Sequence, residues 1–364
     1  MSLILKSSYK MKKELKEKAV DLLKDLISIK SFSGMEDKTA YRIEKWFLDN
    51  KIDYKRTNNN VWAKNKFYDP NKPTLLLNSH HDTVRPNSAY TKNPYKAEIE
   101  DGKLFGLGSN DAGGALVSLI ALFTFYYDYD NLKYNIIIAA TGEEEVAGKN
   151  GLSSLIPKLP KIDLAIVGEP TEMNLAIAER GLIVFDGVIN GEPSHAAHEN
   201  HDSSIMKLPK ILNWFNNFSF DKKSDLLGPV KITVTQVEAG VQHNVVPAKV
   251  NLVIDVRVND MYSNEEISEI LIEKAPCKLT PRSLRLGSSS INKDHELIKS
   301  GIKLGRKTYG SPTLSDQASL NCPSLKMGPG LSTRSHTANE YIYVNEIKEG
   351  IEIYIKMLKI FLIK

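Results

Sequence analysis

One histidine and two carboxylates, His80, Asp82 and Asp111, lie within the stretch from Leu75 to Gly114, and residues of these types bind divalent metal ions. The stretch opens with Leu75-Leu76-Leu77, turns polar at Asn78-Ser79-His80-His81-Asp82, and resumes at Gly106-Leu107-Gly108-Ser109-Asn110-Asp111. More acids follow at Glu143-Glu144-Glu145 and at Glu169 in Gly168-Glu169-Pro170-Thr171, and His336 stands near the end of the chain. Two neutral imidazoles, His80 and His336, with three carboxylates, Asp111, Glu145 and Glu169, suit zinc or a similar borderline ion and lack the thiolates of a structural site. Two divalent ions carry four positive charges, the carboxylates return three, and a hydroxide returns the fourth. A carboxylate in the Gly-rich turn can bridge both ions, leaving one histidine and one terminal carboxylate for each, with open positions for water and substrate. Asp82 lies two residues past His80 on the same side of an extended chain, where it can orient the imidazole; His81 points the other way and reads as structural. Glu144 and Glu145 are adjacent, so one can ligate a metal while the other, as general base, moves a proton from water to a leaving amine. That chemistry is amide hydrolysis.

Such side chains need elements that deliver them to one edge. The apolar run 75–77 ends in ligand types, as expected of a buried parallel strand whose carboxyl end opens into a site. Residues 134–140 repeat the pattern before Glu143-Glu144-Glu145, and 163–167 repeat it before Glu169. Each cluster alone has a plainer explanation, as a solvated acidic loop or exposed imidazoles. Three successive strand ends with helix between them predict an α/β fold, a doubly wound, mostly parallel sheet with chemistry along one edge. Helices are predicted over 12–29, where Leu15, Ala19, Leu22, Leu23, Leu26 and Ile27 form one stripe, over 37–49 with Tyr41, Trp46 and Phe47 near one face, and over 112–127. From Gly181 the texture changes to strands at 182–188, 230–237 and 248–258 and helices at 203–218 and after the capping box Ser263-Asn264-Glu265-Glu266. Within 248–258, Val250, Leu252, Ile254 and Val256 alternate with polar residues. The order strand, helix, strand, strand, helix, strand predicts a ferredoxin-like α+β insert over 180–290, inside a discontinuous catalytic domain of 1–179 and 291–364.

A composition of 41% apolar and 25% charged residues supports two domains with cores of their own. The net charge of +4 is spread along the chain, and no basic block interleaved with aromatics suggests nucleic acid. No stretch approaches a membrane span. Cys277 and Cys322 have no C-x-x-C context, which argues against a disulfide framework and for a reducing cytoplasm. Leu3-Ile4-Leu5 is too short for a signal-peptide core, so 1–10 read as a frayed terminus, in part an expression leader.

Together, His80-x-Asp82-x-Val84, Asp111 before Gly113-Gly114, Glu143-Glu144-Glu145, Gly168-Glu169-Pro170-Thr171 and His336-x-x-Asn339-Glu340 form a pattern. Over nearly the whole chain it resembles the co-catalytic zinc peptidase family of acetylornithine deacetylase, succinyl-diaminopimelate desuccinylase and carboxypeptidase G. The resemblance implies two divalent ions, zinc first and cobalt next, held by His80, Asp111 and Glu169 and by Asp111, Glu145 and His336. It implies that Asp111 bridges, Glu144 is the base and Asp82 supports His80. It also makes the insert a lid and dimerisation domain of a homodimer, from which His195 in Ser194-His195-Ala196-Ala197 reaches the partner subunit's site as oxyanion donor. Carboxylate capture falls to Arg180, Asn244 and Arg257, with Arg334 a further candidate beside His336. His198, His201, His243 and His295 read as surface or loop imidazoles.

Two departures from the pattern stand out. Many members have Asp-Met-Lys-Gly where this chain has Asp111-Ala112-Gly113-Gly114, and the first acid of the usual Asp-Glu-Glu is here Glu143. A slipped assignment, with Glu143 as base and Glu144 as ligand, is the alternative. The phrases Ser79-His80-His81-Asp82-Thr83-Val84-Arg85-Pro86 and Gly106 to Asp111 look most like the acetylornithine deacetylase branch, including members that remove succinyl from ornithine. The expected activity is zinc-dependent removal of an acetyl or succinyl group from the α-amine of ornithine or a related amino acid, a small-molecule substrate, in arginine synthesis. A dipeptidase or aminopeptidase, or a succinyl-diaminopimelate desuccinylase, is the alternative. A binding protein that had lost the site would lack ligands, and here all are present.

Overall fold

The computed structural model describes residues 3–363, with side chains from residue 12 onward. The chain divides into two compact units, one holding the residues up to Ile177, Ile291–Tyr309 and those from Ser315 on, the other Ala178–Ser290 and Gly310–Leu314.

In the first unit, one sheet runs in the order Tyr54–Thr57, Asn60–Lys64, Asn135–Thr141, Thr74–His80, Leu164–Val167, Ser324–Lys326, Leu175–Glu179. Thr74–His80 pairs in parallel with the strands on both sides, Ser324–Lys326 extends the parallel set, and the strands flanking that set are antiparallel. The sheet is therefore mixed and mostly parallel, in an α/β fold as the strand ends predict. Every residue of Thr74–His80 and Asn135–Thr141 is buried, and within them 75–77 and 136–140 read as unbroken apolar runs. Alternate residues feed opposite faces. Leu75, Leu77, Ile136 and Ile138 join the main core, whereas Leu76, Ile137 and Ala139 join a smaller cluster with Trp62, Leu152 and Leu155. The main core also takes one face of Leu3–Ile27, the buried helix Gly114–Tyr126 and Val344–Leu362. Each leucine fully buried there contributes roughly 1.5–3 kcal/mol. His80 pairs with Thr141 and Asn78 with Val167, so the chain leaves three neighbouring strands at one edge.

Three details differ from expectation. The first helix begins at Leu3 rather than near residue 12, where 1–10 read as frayed; the side chains of residues 1–11 lie outside the described residues. The helix after the Gly-rich turn begins at Gly114, because Ser109–Gly113 winds as a separate wider turn. In Asp37–Asp49, Trp46 and Phe47 are buried but Tyr41 is 67% exposed; six positions from Phe47 at 3.6 residues per turn put it on another face.

The second unit is a four-stranded antiparallel sheet in the order Lys231–Ala239, Lys249–Val258, Gly181–Asn190, Lys278–Pro281, with helices Ser204–Asn217 and Asn264–Lys274. Chain order is strand, helix, strand, strand, helix, strand. Val250, Leu252, Ile254 and Val256 are buried in a core that this unit keeps to itself. The capping box is present: Glu266 N donates to Ser263 Oγ at 3.1 Å and Ser263 N to Glu266 Oε2 at 2.8 Å. Cys277 and Cys322 carry free thiols, and no described helix is long and apolar enough to cross a membrane.

Candidate metal centre

The five predicted ligands, far apart in sequence, meet. His80 Nε2 lies 3.4 Å from Asp111 Oδ1 and 3.8 Å from Glu169 Oε1. His336 Nε2 lies 3.0 Å from Glu145 Oε2 and 3.4 Å from Asp111 Oδ2. Two triads result, His80–Asp111–Glu169 and Asp111–Glu145–His336, each with its ligand atoms within 4.8 Å of one another. Asp111 belongs to both and offers one oxygen to each, the arrangement a bridging carboxylate needs.

His80 ends its strand and is buried. Its Nδ1 faces the Asp82 carbonyl oxygen at 3.0 Å and Asp82 Oδ1 at 3.4 Å, which turns Nε2 toward the acids. That Nε2 is buried and has no hydrogen-bond partner, a costly state for a polar atom unless something else binds there. A metal ion fits this vacancy in bonding, and the nitrogen and oxygen donor set fits a borderline divalent cation.

Asp111 is held through its backbone. Glu340, buried, accepts from Asn110 N at 2.7 Å and Asp111 N at 2.9 Å with Oε1, and from Gly108 N at 3.0 Å with Oε2. The turn needs glycine at Gly108, with φ +73, and the Asp111–Ala112 peptide is cis. A Cβ at Gly113 would stand 2.4 Å from Gly108 O, so the position that the resembled pattern fills with lysine has no room for a side chain here.

The acidic loop hangs from Asp82. Glu144 N donates to Asp82 Oδ1 at 3.1 Å, Glu145 N to Oδ2 at 3.2 Å, and Ser33 Oγ to Oδ2 at 2.7 Å. Asp82 thus supports the Glu144–Glu145 backbone as well as His80. Glu143 turns its carboxylate onto Asn150, accepting from N at 3.0 Å and Nδ2 at 2.9 Å, and Glu144 belongs to neither triad. Glu169 follows a strand end pinned by Gly168 N donating to Asn78 O at 2.7 Å. His336 sits at φ +59 on a loop and is the exposed member of the set. His81 packs between Thr39 Oγ1 at 2.8 Å and Asn59 O at 2.9 Å, and burial pushes its pKa down to about 4, as befits a neutral structural imidazole.

In the metal-free protein the charges are unbalanced. Burial, then the charge of Asp111, pushes Glu169 up to about 8. Burial together with Glu169, Asp316 and Glu145 holds Glu144 well above the carboxylate range, against the pull of His80. The hydrogen bond to Glu145 carries His336 up to about 9, and for His80 burial, which lowers it, is outweighed by the carboxylates of Asp111, Asp82, Glu144 and Glu169, which raise it well above 6.5. Asp111 moves down, because His80 and His336 outweigh its burial. Too many carboxylates face too few cations, and protons fill the place that cations would take.

Three contributors went unread in the sequence. Asp316, pushed up to about 6 by burial, accepts from Thr141 Oγ1 at 2.8 Å beneath the acidic loop; an acid in an otherwise uncharged run, 308–325, was its only signal. Glu340 lay inside the His336 motif but without a role, and Ser33 carried no signal.

The remaining candidates lie mostly in the second unit. His195 is exposed on the two-residue strand Ser194–His195, opposite Val245–Val246, and its Nδ1 accepts from Ala197 N at 3.1 Å. Arg257 already holds a carboxylate, Asp255, through Nε at 2.8 Å and Nη2 at 3.1 Å. Arg180 donates to the carbonyl oxygens of Leu227 and Pro229, and Asn244 is exposed, its carbonyl accepting from Ala196 N at 3.0 Å. In the first unit Arg334 is committed to Glu346 at 2.7 Å and to the rings of Tyr341 and Tyr343. His295 caps helix Glu296–Lys303, its Nδ1 accepting from Leu297 N at 3.2 Å, while His198, His201 and His243 are exposed.

Comparison with known proteins places this geometry. A succinyl-diaminopimelate desuccinylase of Rickettsia felis is 26% identical over 382 aligned residues, covering 93% of this chain and 98% of the relative. Another, of Buchnera aphidicola subsp. Cinara cedri, is 28% identical with the same coverage of 93% and 98%. In fold, aminopeptidase PepT from Bacillus cereus superposes with a TM-score of 0.75 at 16% identity, over 95% of this chain and 98% of that one. A dinuclear metal binding peptidase of family M20 from Bacillus subtilis gives 0.71 at 15% identity, over 96% and 98%. The relatives carry the desuccinylase name, the alternative activity, rather than that of the acetylornithine branch. The phrases that favoured that branch, Ser79–Pro86 and Gly106–Asp111, are the ones that carry the clustered His80 and Asp111. The model of peptidase family M20/M25/M40 matches residues 76–360, most of the chain and all five clustered ligands; the chain belongs to that family and is a metal-dependent hydrolase.

Proposed function

We propose that this protein hydrolyses the amide of an N-succinyl amino acid of the diaminopimelate kind, releasing succinate and the free amine. The pair of triads sharing Asp111, with Glu144 unbound beside them, carries the hydrolytic part of this reading; the names of the relatives support the acyl group and the amine. His80, Asp111 and Glu169 hold one divalent cation and Asp111, Glu145 and His336 the other, zinc before cobalt. When bound, such ions supply Lewis acidity, bringing the pKa of water to about 7 and polarising the scissile carbonyl.

Glu144 takes a proton from the attacking water at its carboxylate and returns it to the departing amine nitrogen. Its strong proton affinity in the metal-free protein, a product of burial, suits a group that must hold the proton between the two events. Asp82 keeps Glu144 in place through the backbone. Because His195 Nδ1 accepts a backbone N–H, its ring proton sits on Nε2, where it can donate to the developing oxyanion. In this reading residues 180–290 form the lid of a homodimer, and His195 serves the partner subunit. Arg180, Asn244 and Arg257 bind the substrate's carboxylates, Arg257 in competition with Asp255.

Glu144→Gln should keep metal content at the wild-type level, by elemental analysis of gel-filtered protein, and lower kcat by about 10²–10⁴-fold. Wild-type turnover by that variant refutes the base assignment. On a panel of N-succinyl-diaminopimelate, N-succinylornithine and N-acetylornithine, kcat/KM should be highest for the first. The second reading is deacylation of N-acyl-ornithine, favoured by the Ser79–Pro86 phrase, and a maximum on either ornithine substrate would establish it instead.

A further inference from the structure

We infer that Glu36 is a positioning residue, whose buried carboxylate fixes the loop bearing Glu144 and Glu145 by accepting the Glu143 backbone N–H. The inference rests on the reading of Glu144 as base. Glu36 lies in the connection between helices Leu3–Ile27 and Asp37–Asp49, and its side chain is buried. Oε1 accepts from Glu143 N at 3.1 Å and from Gly34 N at 2.6 Å, and Oε2 accepts from Asn59 Nδ2 at 2.8 Å. One carboxylate thereby ties three separate segments together.

Position and cost both point to this use. Glu36 is the N-cap of Asp37–Asp49, its carbonyl accepting from Ala40 N at 2.9 Å, yet its side chain makes no cap bond. Serine, threonine, aspartate or asparagine there would cap the helix. The chain forgoes that stabilisation and sends a longer acid to another loop. Glu143 is held at φ +58, a conformation an L residue adopts only where its surroundings enforce it, and the Glu36 bond is on its own N–H. The fit is close: a Cβ at Gly142 would come within 3.0 Å of Glu36 Cδ. Neighbours in the same connection, and Thr39 in the first turn of the helix that follows, grip the strand end. Thr83 N donates to Ser31 O at 2.8 Å, Ser33 Oγ to Asp82 Oδ2 at 2.7 Å, and Thr39 Oγ1 meets His81 Nδ1 at 2.8 Å. Glu36 and Asp82 therefore hold three consecutive amides, those of Glu143, Glu144 and Glu145, from one side.

Two variants separate reach from charge. Glu36→Gln keeps an acceptor oxygen at full reach and loses the charge; Glu36→Asp keeps the charge and is one methylene short. Hydrogen exchange of the full-length, metal-free protein, read by mass spectrometry on peptides covering 142–150, should quicken about tenfold in Glu36→Asp and stay within about threefold in Glu36→Gln. Peptides covering Leu164–Val167 should not change. With metal restored, Glu36→Asp should lose about tenfold in kcat with KM within about twofold, and Glu36→Gln should recover most of it. Equal exchange in the two variants, the reverse order, or acceleration that extends to Leu164–Val167 overturns the inference. Because exchange is read without metal or substrate, an active Glu144→Gln would remove the base assignment and leave the exchange result standing.

Discussion

Asp111 is the side chain on which both halves of the centre depend, since its two oxygens face different histidines. Asp111→Ala should therefore leave less than one metal per chain, whereas Glu169→Ala and Glu145→Ala should each leave about one, by elemental analysis after gel filtration. Two ions retained by Asp111→Ala would show that the triads do not share a ligand. Four of the five clustered residues were legible because each is a metal-binding type just past an apolar run or inside a glycine-rich turn, and His336 was read from the company of those four. The residues that hold them were less so. Asp82 was read as support for His80, but its hold on the Glu144 and Glu145 amides was not; like Glu36 and Glu340 it acts there on backbone N–H groups, and any loop can supply those whatever its side chains are. Arg257 carries a partner that its type alone does not announce: Asp255, two positions away on the same strand face, bonds its guanidinium, and a substrate carboxylate would have to compete with it; that spacing was available to read.

At the scale of elements, apolar runs predicted the central strands closely, because burial on both faces fills 75–77 and 136–140 with apolar side chains and leaves polar ones to the strand ends. Boundaries were less legible. The turn around Asp111 was read, but Ala112 and Gly113 read as the first residues of the helix, whereas Gly113 N donates to Gly108 O and keeps them in the wider turn Ser109–Gly113. Pairings between helices are likewise invisible in one sequence. Glu352 in Val344–Leu362 accepts from Lys16 in Leu3–Ile27 at 2.7 Å and from Lys356 at 3.0 Å, and these bonds, Lys16 first, push its pKa down to about 2. A folded pKa below the unfolded value of about 4.3 stabilises the fold above pH ~4.3, and that contribution is lost as pH falls toward 2. The Glu352 side chain is 46% exposed, so solvent screens the pair and the effect is under ~1 kcal/mol. Glu352→Gln should lower the urea midpoint slightly at pH 7 and converge with wild type near pH 2; an undiminished gap at pH 2 would discount the ion pair.

For the molecule as a whole, the sequence showed where the texture changes near Gly181, and alternation with a flat polar face marked the second region as a different kind of sheet. What it could not show is how entry and exit are arranged. Ala178 lies opposite Ser290 and Glu179 opposite Ser289 in antiparallel register, so the chain leaves and returns through adjacent strands. The two units also bury separate cores. Replacing residues 181–287 by a short turn should therefore yield a soluble remainder that still takes up metal in a calorimetric titration and does not turn over substrate. Absence of metal uptake by a folded remainder would contradict this. Two adjoining strands make a socket for a cassette: a gene could exchange its middle third for another of different selectivity, and the five clustered side chains of the metal centre would come through the graft untouched.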